Sequence, residues 1–373
     1  MGNLWLETPL IHSPHISARL GCNVYLKLES LQPSQSFKYR GISHFIQHAL
    51  AQYGPSVHLV IASGGNAGLA AAVAAKALGL LCTVYLPQGA GTPSILQFFE
   101  QANADVKEEG NCYAQALKAA GEAVASDPKA VLVPAYEDPI LWEGHASMIP
   151  EIAKQLPQGT KPDAILCSVG GAGLIGGVMS GCKQVNWDDV PLVALETTGS
   201  NCFYRSLALN PGPFVSQQGV AADTEVIDVP EHGIKIAHVP KITSRAASLG
   251  ASAPAAGVVK MALQRSGGIK SVCVPDELSM HAGLQFAEEH KMLVELACAT
   301  TMIPAYSSDI FNRLVPERSD GKERTVVFIV CGGFKISLNE MVEHEALVNR
   351  ALQEKSGHWE VFCNGAQWDI PQQ

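Results

Sequence analysis

Four short stretches hold side chains or bare backbone that could do chemistry. In "LESLQPSQSFKYRGI" (28–42), Lys38 follows Phe37 inside a run of Pro, Ser and Gln that resists regular structure, an unusual place for a lone amine. In "IASGGNAGLAAAVAAKALG", an apolar run ends at Ser63, Gly64, Gly65 and Asn66, and an Ala-rich one opens at Ala67. Free N–H groups at such a helix start, with two glycines permitting close approach, suit a carboxylate or a phosphate. Simple helix capping is the plainer use of the same turn. In "ILCSVGGAGLIGGV", Gly170, Gly171, Ala172 and Gly173 precede Leu174, so successive N–H groups can converge on a phosphate without any basic side chain. Tight packing of helix on strand would also explain these small residues. Finally, "VVFIVCGGFKIS" ends an apolar strand in Cys331 and two glycines. A thiol in that setting is ordinarily core, and it acquires meaning only from its companions.

The elements that must position these groups alternate along the chain. "NVYLKLE", "HLVIAS", "CTVYLP", "DAILCSV", "PLVALET" and "RTVVFIVCGG" read as strands, with helical runs such as "ISHFIQHALAQYG" and "SILQFFEQAN" between several of them. Short, continuously apolar strands need helices on both faces, which predicts α/β architecture built on parallel sheets, with ligands at the carboxyl ends of the strands. A polar helix is expected near Asn339 to Leu352. No function is legible in the "QEKSGHWEVFCNGAQWDIPQQ" that follows.

Composition narrows the partners. The chain has 373 residues, 47% of them hydrophobic, enough for a large core in two lobes. With 26 Lys plus Arg against 35 Asp plus Glu, the net charge of −9 disfavours a nucleic acid or an anionic membrane as partner. No apolar run reaches the ~20 residues of a membrane span, so small-molecule chemistry is expected. The ten cysteines include no C-x-x-C pair and no metal-site spacing. They read as reduced, buried thiols of a cytoplasmic protein. The pattern G-x-G-x-x-G is formally present in Gly171, Gly173 and Gly176, with Glu196 near the distance of a ribose-binding acid. A nicotinamide-dependent oxidoreductase is therefore an alternative.

The order of the motifs points elsewhere. Lys38 in "PSQSFKYRG", then "SGGNAG", "EDPILWEGHASMIPEI", "GGAGL", "ETTGSNCF", "ITSRAASLGA" and "VCGG" resembles the serine/threonine dehydratases of the pyridoxal-phosphate fold type II group, especially the eukaryotic L-serine dehydratases. The resemblance covers about residues 5 to 340. It implies a two-lobed fold like that of the tryptophan synthase β-subunit, each lobe a mainly parallel sheet flanked by helices. It also implies pyridoxal 5'-phosphate joined to Lys38, with Phe37 on one face of its ring and Ser248, where the family usually has alanine, on the other. Asn66 would bond the ring hydroxyl, Gly170, Gly171, Ala172, Gly173 and Leu174 the phosphate, and Cys331 would face the ring nitrogen. Ser63, Gly64, Asn66 and Ala67 would hold the substrate carboxylate. Gly170, Glu196, Ser200, Leu249 and Ala251 match positions that hold a monovalent cation, K+, in such enzymes.

The implied reaction is β-elimination from L-serine, and also L-threonine, giving pyruvate or 2-oxobutanoate plus ammonia. Related outcomes on another β-substituted amino acid, by replacement or racemisation, are alternatives. A homodimer is the family norm. The expected division is a large lobe of 1–40 plus 151–345, a small lobe of 41–150 inserted in it, and an extension of 346–373 too short for a usual amino-acid-sensing domain. The sequence departs from the family at Gln35, where glycine is usual, and at Phe334 and Lys335, where Ser and Asn are common. Ala172 also replaces a phosphate-loop glycine, which is tolerable where its φ is negative.

Overall fold

A computed structural model of the chain describes residues 2–353 and 357–372. Its strands form two main sheets and one separate two-stranded hairpin. The larger sheet runs Leu10–His12, Asn23–Leu28, Thr325–Val330, Ala164–Ser168, Leu192–Thr197, Ile269–Val274, His358–Cys363 and Ala366–Pro371. Its five inner strands, from Asn23–Leu28 to Ile269–Val274, are mutually parallel, and its edges are antiparallel. The smaller sheet is fully parallel, in the order Asp105–Glu108, Leu81–Leu86, His58–Ala62 and Ala130–Leu132.

Burial explains the composition of these strands. Every residue of Ala164–Ser168, Leu192–Thr197 and Thr325–Val330 is buried, as expected where helices cover both faces of a parallel sheet. Over the smaller sheet, alanines of the helix Asn66–Leu78 pack almost without exposure, because their small side chains let helix and strand approach closely. The ten cysteines are unpaired, and all but Cys112 are buried.

The C-terminal stretch that sequence left unassigned completes the larger sheet. His358–Cys363 and Ala366–Pro371 form a hairpin whose turn residues Asn364 and Gly365 have φ of 47° and 81°. An Asn-Gly pair accepts left-handed backbone at both positions, which matches the twist of the flanking strands. The first hairpin strand then pairs with Ile269–Val274. The polar helix ahead of it spans Leu338–Gln353.

Behind Lys38 lies a buried charge network. Arg40 Nε and Nη2 donate to Glu29 at 2.7 and 2.8 Å. Its Nη1 and Nη2 reach Glu151 at 2.7 and 2.6 Å, and Lys27 donates to Glu151 at 2.6 Å. Thr8 adds a hydroxyl donor to Glu29 at 2.7 Å. The network ties the segment around Glu29 and the helix Lys38–Tyr53 to the helix Met148–Gln155.

Candidate active site

Lys38 is the first residue of the helix Lys38–Tyr53, and its loop is stitched to the turn after Thr325–Val330. Ser36 bridges Gly332, Phe37 N donates to Cys331 O at 3.1 Å, and Gly333 N donates to Gln35 O at 2.8 Å. These bonds bring Lys38 and Cys331 to one place although the sequence separates them widely. The two glycines are required there. A Cβ on Gly332 would lie 2.3 Å from Gln35 O, and one on Gly333 would lie 2.2 Å from Glu295 Cδ.

Gln35 holds the conformation its usual glycine would take, with φ of 62°. The cost of left-handed backbone at a residue bearing a Cβ is about 1–2 kcal/mol. Since the Gln35 side chain is exposed and bonds nothing among the described residues, Gln35→Gly should raise stability by about 0.5–1 kcal/mol, after the entropy cost of glycine. Thermal unfolding measures this; a lowered midpoint would show the loop to be unstrained.

The Lys38 amine lies 5.4 Å from the centroid of the Phe37 ring and 5.9 Å from that of Tyr136, and donates to Ala135 O at 2.6 Å. With no carboxylate partner, burial lowers its pKa to about 8. Phe37 packs on His145 with ring centroids 5.1 Å apart. His145 is fully buried and held neutral by desolvation, with Lys38 and Arg40 adding to that effect.

The SGGN turn leads into the helix Asn66–Leu78, with Gly65 as its N-cap. No side chain caps the helix at Gly65, so its first N–H groups remain available to a ligand. The Asn66 side chain, however, is engaged within the protein. Its Nδ2 donates to Glu295 Oε2 at 3.0 Å and to Ser248 Oγ at 3.2 Å, and its Oδ1 accepts Phe334 N at 3.3 Å. Ser248 Oγ also donates to Glu295 Oε2, and Lys335 N donates to Glu295 Oε1 at 3.0 Å. Glu295, 6% exposed, is thus the hub joining "SGGN", "ITSRAASLGA" and "VCGGFK". Sequence reasoning missed it, although an acid immediately before the apolar helix Leu296–Tyr306 was a usable signal.

The glycine loop is a bare cradle. A Cβ on Gly170 would lie 3.0 Å from Leu249 Cα, and one on Gly173 would lie 2.9 Å from Tyr136 O. At Gly171 a Cβ would fall 2.4 Å from the Tyr136 ring. Ala172 has φ of 69°, not the negative value expected of it, and serves as the uncapped N-cap of the helix Gly173–Gln184. The left-handed turn aims consecutive N–H groups to one side, as an anion-binding loop requires. Leu174, 4% exposed, anchors the helix start in the core. Tyr136, which sequence did not single out, forms the wall opposite the loop, and its hydroxyl donates to Ala253 O at 3.2 Å.

Cys331 lies among polar sulfur and oxygen atoms. Its Sγ is 3.6 Å from Ser168 Oγ, and Cys298 Sγ accepts Gly332 N at 3.3 Å. A hydrogen bond from Cys298 pulls the Cys331 thiol below the usual thiol range, while burial pushes Cys298 well above it.

The cation positions fall into two groups. Gly170 and Leu249 are in close contact, and Ala251 N donates to Leu249 O at 2.7 Å. Ser200 pairs with Thr197, one residue beyond Glu196, and its buried Oγ has no hydrogen-bond partner among the described residues. Glu196 is fully buried, and its oxygens accept Phe203 N at 3.0 Å and Tyr204 N at 2.6 Å. Burial holds its carboxyl well above the usual range. A carboxyl enclosed in this way offers nothing to a ribose, which removes the structural basis of the nicotinamide alternative.

Comparison with known proteins agrees with this geometry. The human protein named L-serine dehydratase/L-threonine deaminase is 36% identical over 359 residues, covering 95% of this chain and 96% of its own. A human protein named serine dehydratase-like is 37% identical, with 90% and 92% covered. The crystal structure of a fungal L-serine ammonia-lyase from Rhizomucor miehei superposes with a TM-score of 0.79 at 29% identity, covering 92% of this chain and 99% of the other. The profile of the family described as "Pyridoxal-phosphate dependent enzyme" matches residues 3–332, and the chain belongs to that family.

Proposed function

We propose that the chain catalyses dehydration and deamination of L-serine, and of L-threonine, releasing pyruvate or 2-oxobutanoate with ammonia. The observation that carries this reading is the Lys38 amine, biased toward its neutral form and enclosed by Phe37, Tyr136 and Ala135 beside a bare glycine loop. The residues fit pyridoxal phosphate. The cradle leaves no room for a Cβ at Gly171 and Gly173, and Lys38 is the amine beside it. Gly170 to Leu174 would hold the phosphate, Lys38 the aldehyde carbon, Phe37 and Ser248 the ring faces, Asn66 the ring hydroxyl and Cys331 the side of the ring nitrogen.

When bound, pyridoxal phosphate supplies an electron sink that labilises the α-proton of an attached amino acid. The SGGN turn, with Ser63, Gly64, Asn66 and Ala67, would hold the substrate carboxylate through backbone N–H groups and the Ser63 hydroxyl. Lys38 Nζ, displaced by the substrate amine, would take the α-proton, a task suited to an amine with a pKa of about 8. Cys331 would offer a thiol rather than a carboxylate to the ring nitrogen, a partner that stabilises added positive charge there less.

We also propose K+ beside the phosphate loop, held by carbonyls of Gly170, Leu249 and Ala251 and by Ser200, with Glu196 close by. The unpartnered, buried Ser200 hydroxyl supports it. Buried, unpaired cysteines support a cytoplasmic location. Two lobes divided near residues 40 and 150 fit the two sheets, whose strands come from separate spans of chain.

The decisive experiment supplies L-serine or L-threonine to the cofactor-loaded enzyme without added thiol and measures the oxo acid released. Pyruvate and 2-oxobutanoate are the expected products. Recovery of racemised amino acid, or no oxo acid from either, would overturn the reading.

A further inference from the structure

We propose that Lys335 is a specificity-determining residue that directs this site to β-hydroxy amino acids carrying a second anionic group on Cβ. The inference rests on the reading of the SGGN turn as the substrate-carboxylate grip. A Cβ on Gly65 would lie 3.6 Å from Lys335 Nζ, which places the ammonium directly over that turn.

Its position is fixed rather than adventitious. Lys335 N donates to Glu295 Oε1 at 3.0 Å, and the preceding Phe334 N donates to Asn66 Oδ1 at 3.3 Å. The Phe334 ring, 5% exposed, wedges against Phe98 with centroids 5.0 Å apart and against Phe99 at 6.5 Å. The backbone leading into Cα335 is therefore tied to Asn66 and to Glu295, which fixes the base of the lysine side chain beside the turn.

The cation is also unspent. Among the described residues its ammonium has no hydrogen-bond or ion-pair partner. The nearby Glu295 has both oxygens occupied by Lys335 N, Asn66 and Ser248. Glu340 feels the Lys335 charge at longer range, but among the described residues the two form no ion pair. The α-carboxylate of serine is already served by the uncapped N–H groups of Asn66–Leu78. A further ammonium beside them matches a further anion, one carbon away from Cα. A β-carboxylate meets that description, and the half-buried ammonium facing it gives charge-assisted recognition that serine cannot use.

The reaction balances without an additional reagent. The α-hydrogen and β-hydroxyl of 3-hydroxyaspartate leave as water, and hydrolysis of the resulting imine consumes one water. The products are a four-carbon oxo dicarboxylate and ammonia.

The test measures binding separately from turnover. L-Aspartate and L-alanine lack a β-hydroxyl, so their affinities for the cofactor-loaded enzyme are read by calorimetry without elimination. L-Aspartate should bind at least about tenfold more tightly, the scale of one hydrogen bond to a charged group. Lys335→Asn should bring the two within about twofold, and Lys335→Arg should retain the preference. In turnover, Lys335→Asn should raise KM for 3-hydroxyaspartate by a larger factor than KM for serine. Equal affinities in the wild type, or a preference that survives Lys335→Asn, overturns the proposal. A preference lost in Lys335→Asn upholds it even if no oxo acid is released, in which case the proposed elimination alone fails.

Discussion

Lys38→Ala should leave the chain folded and lower oxo-acid release from L-serine by about 10²–10⁴-fold through loss of the positioned base alone. Borohydride reduction of the wild type, followed by peptide mapping, should find the pyridoxyl group on Lys38 and on no other lysine. A label elsewhere would remove Lys38 from its role. The pKa supplies an independent check. Only the neutral amine attacks an aldehyde, so the rate at which the cofactor-free protein becomes labelled should rise with pH and be half-maximal near about 8. The sign for stability follows. Between about 8 and the ordinary lysine value near ~10.4, the unfolded chain keeps a proton that folded Lys38 has lost, so stability of the cofactor-free protein should rise with pH in that window. Labelling that instead increases only near pH ~10 would mean the amine is fully hydrated.

The second large effect is on stability. Glu29→Ala removes the partner of Arg40 Nε and leaves a fully buried guanidinium with one carboxylate, Glu151, and the hydroxyls of Ser147 and Thr8 among the described residues. Breaking a buried pair from one side costs about 3–5 kcal/mol, because the desolvated charge that remains is uncompensated. Chemical denaturation should show a loss of that order. Arg40 starts two residues after Lys38, so cofactor uptake should weaken in parallel. A midpoint within error of the wild type would show that Glu151 satisfies Arg40 unaided.

Much of the fold was written in local pattern. The buried strands are continuous apolar runs, and the order of "SFK", "SGGN", "GGAG" and "VCGG" leads to one cluster because each turn closes a parallel strand or opens a helix. Local pattern was also sufficient for the C-terminal hairpin, whose Asn364-Gly365 pair was overlooked. Other features were not local. Glu295 meets Asn66 across 229 residues, and no propensity reports which distant amide an acid will find. Tyr136 acquires its role from the absence of a side chain on Gly171. Ala172 shows the limit of residue-type rules: alanine prefers negative φ, yet the loop imposes 69° on it, and packing of the surrounding strand and helix sustains the strain.

The pairing of Asn23–Leu28 with Thr325–Val330 has a consequence for biosynthesis. The small sheet draws on one contiguous span, from His58 to Leu132, and can close while the rest of the chain is still on the ribosome. The strand before it must wait for about 300 more residues to be translated, roughly 15–60 s at 5–20 residues per second. Through that interval Val24, Leu26 and Leu28, all buried in the finished protein, have the strand Leu10–His12 beside them but lack the one on their other side. The loop bearing Lys38 shares the delay, since its anchors Cys331, Gly332 and Gly333 emerge later still. Apolar side chains of that strand thus stay without their later partner during synthesis, and the site around Lys38 is among the last parts of the molecule to be assembled.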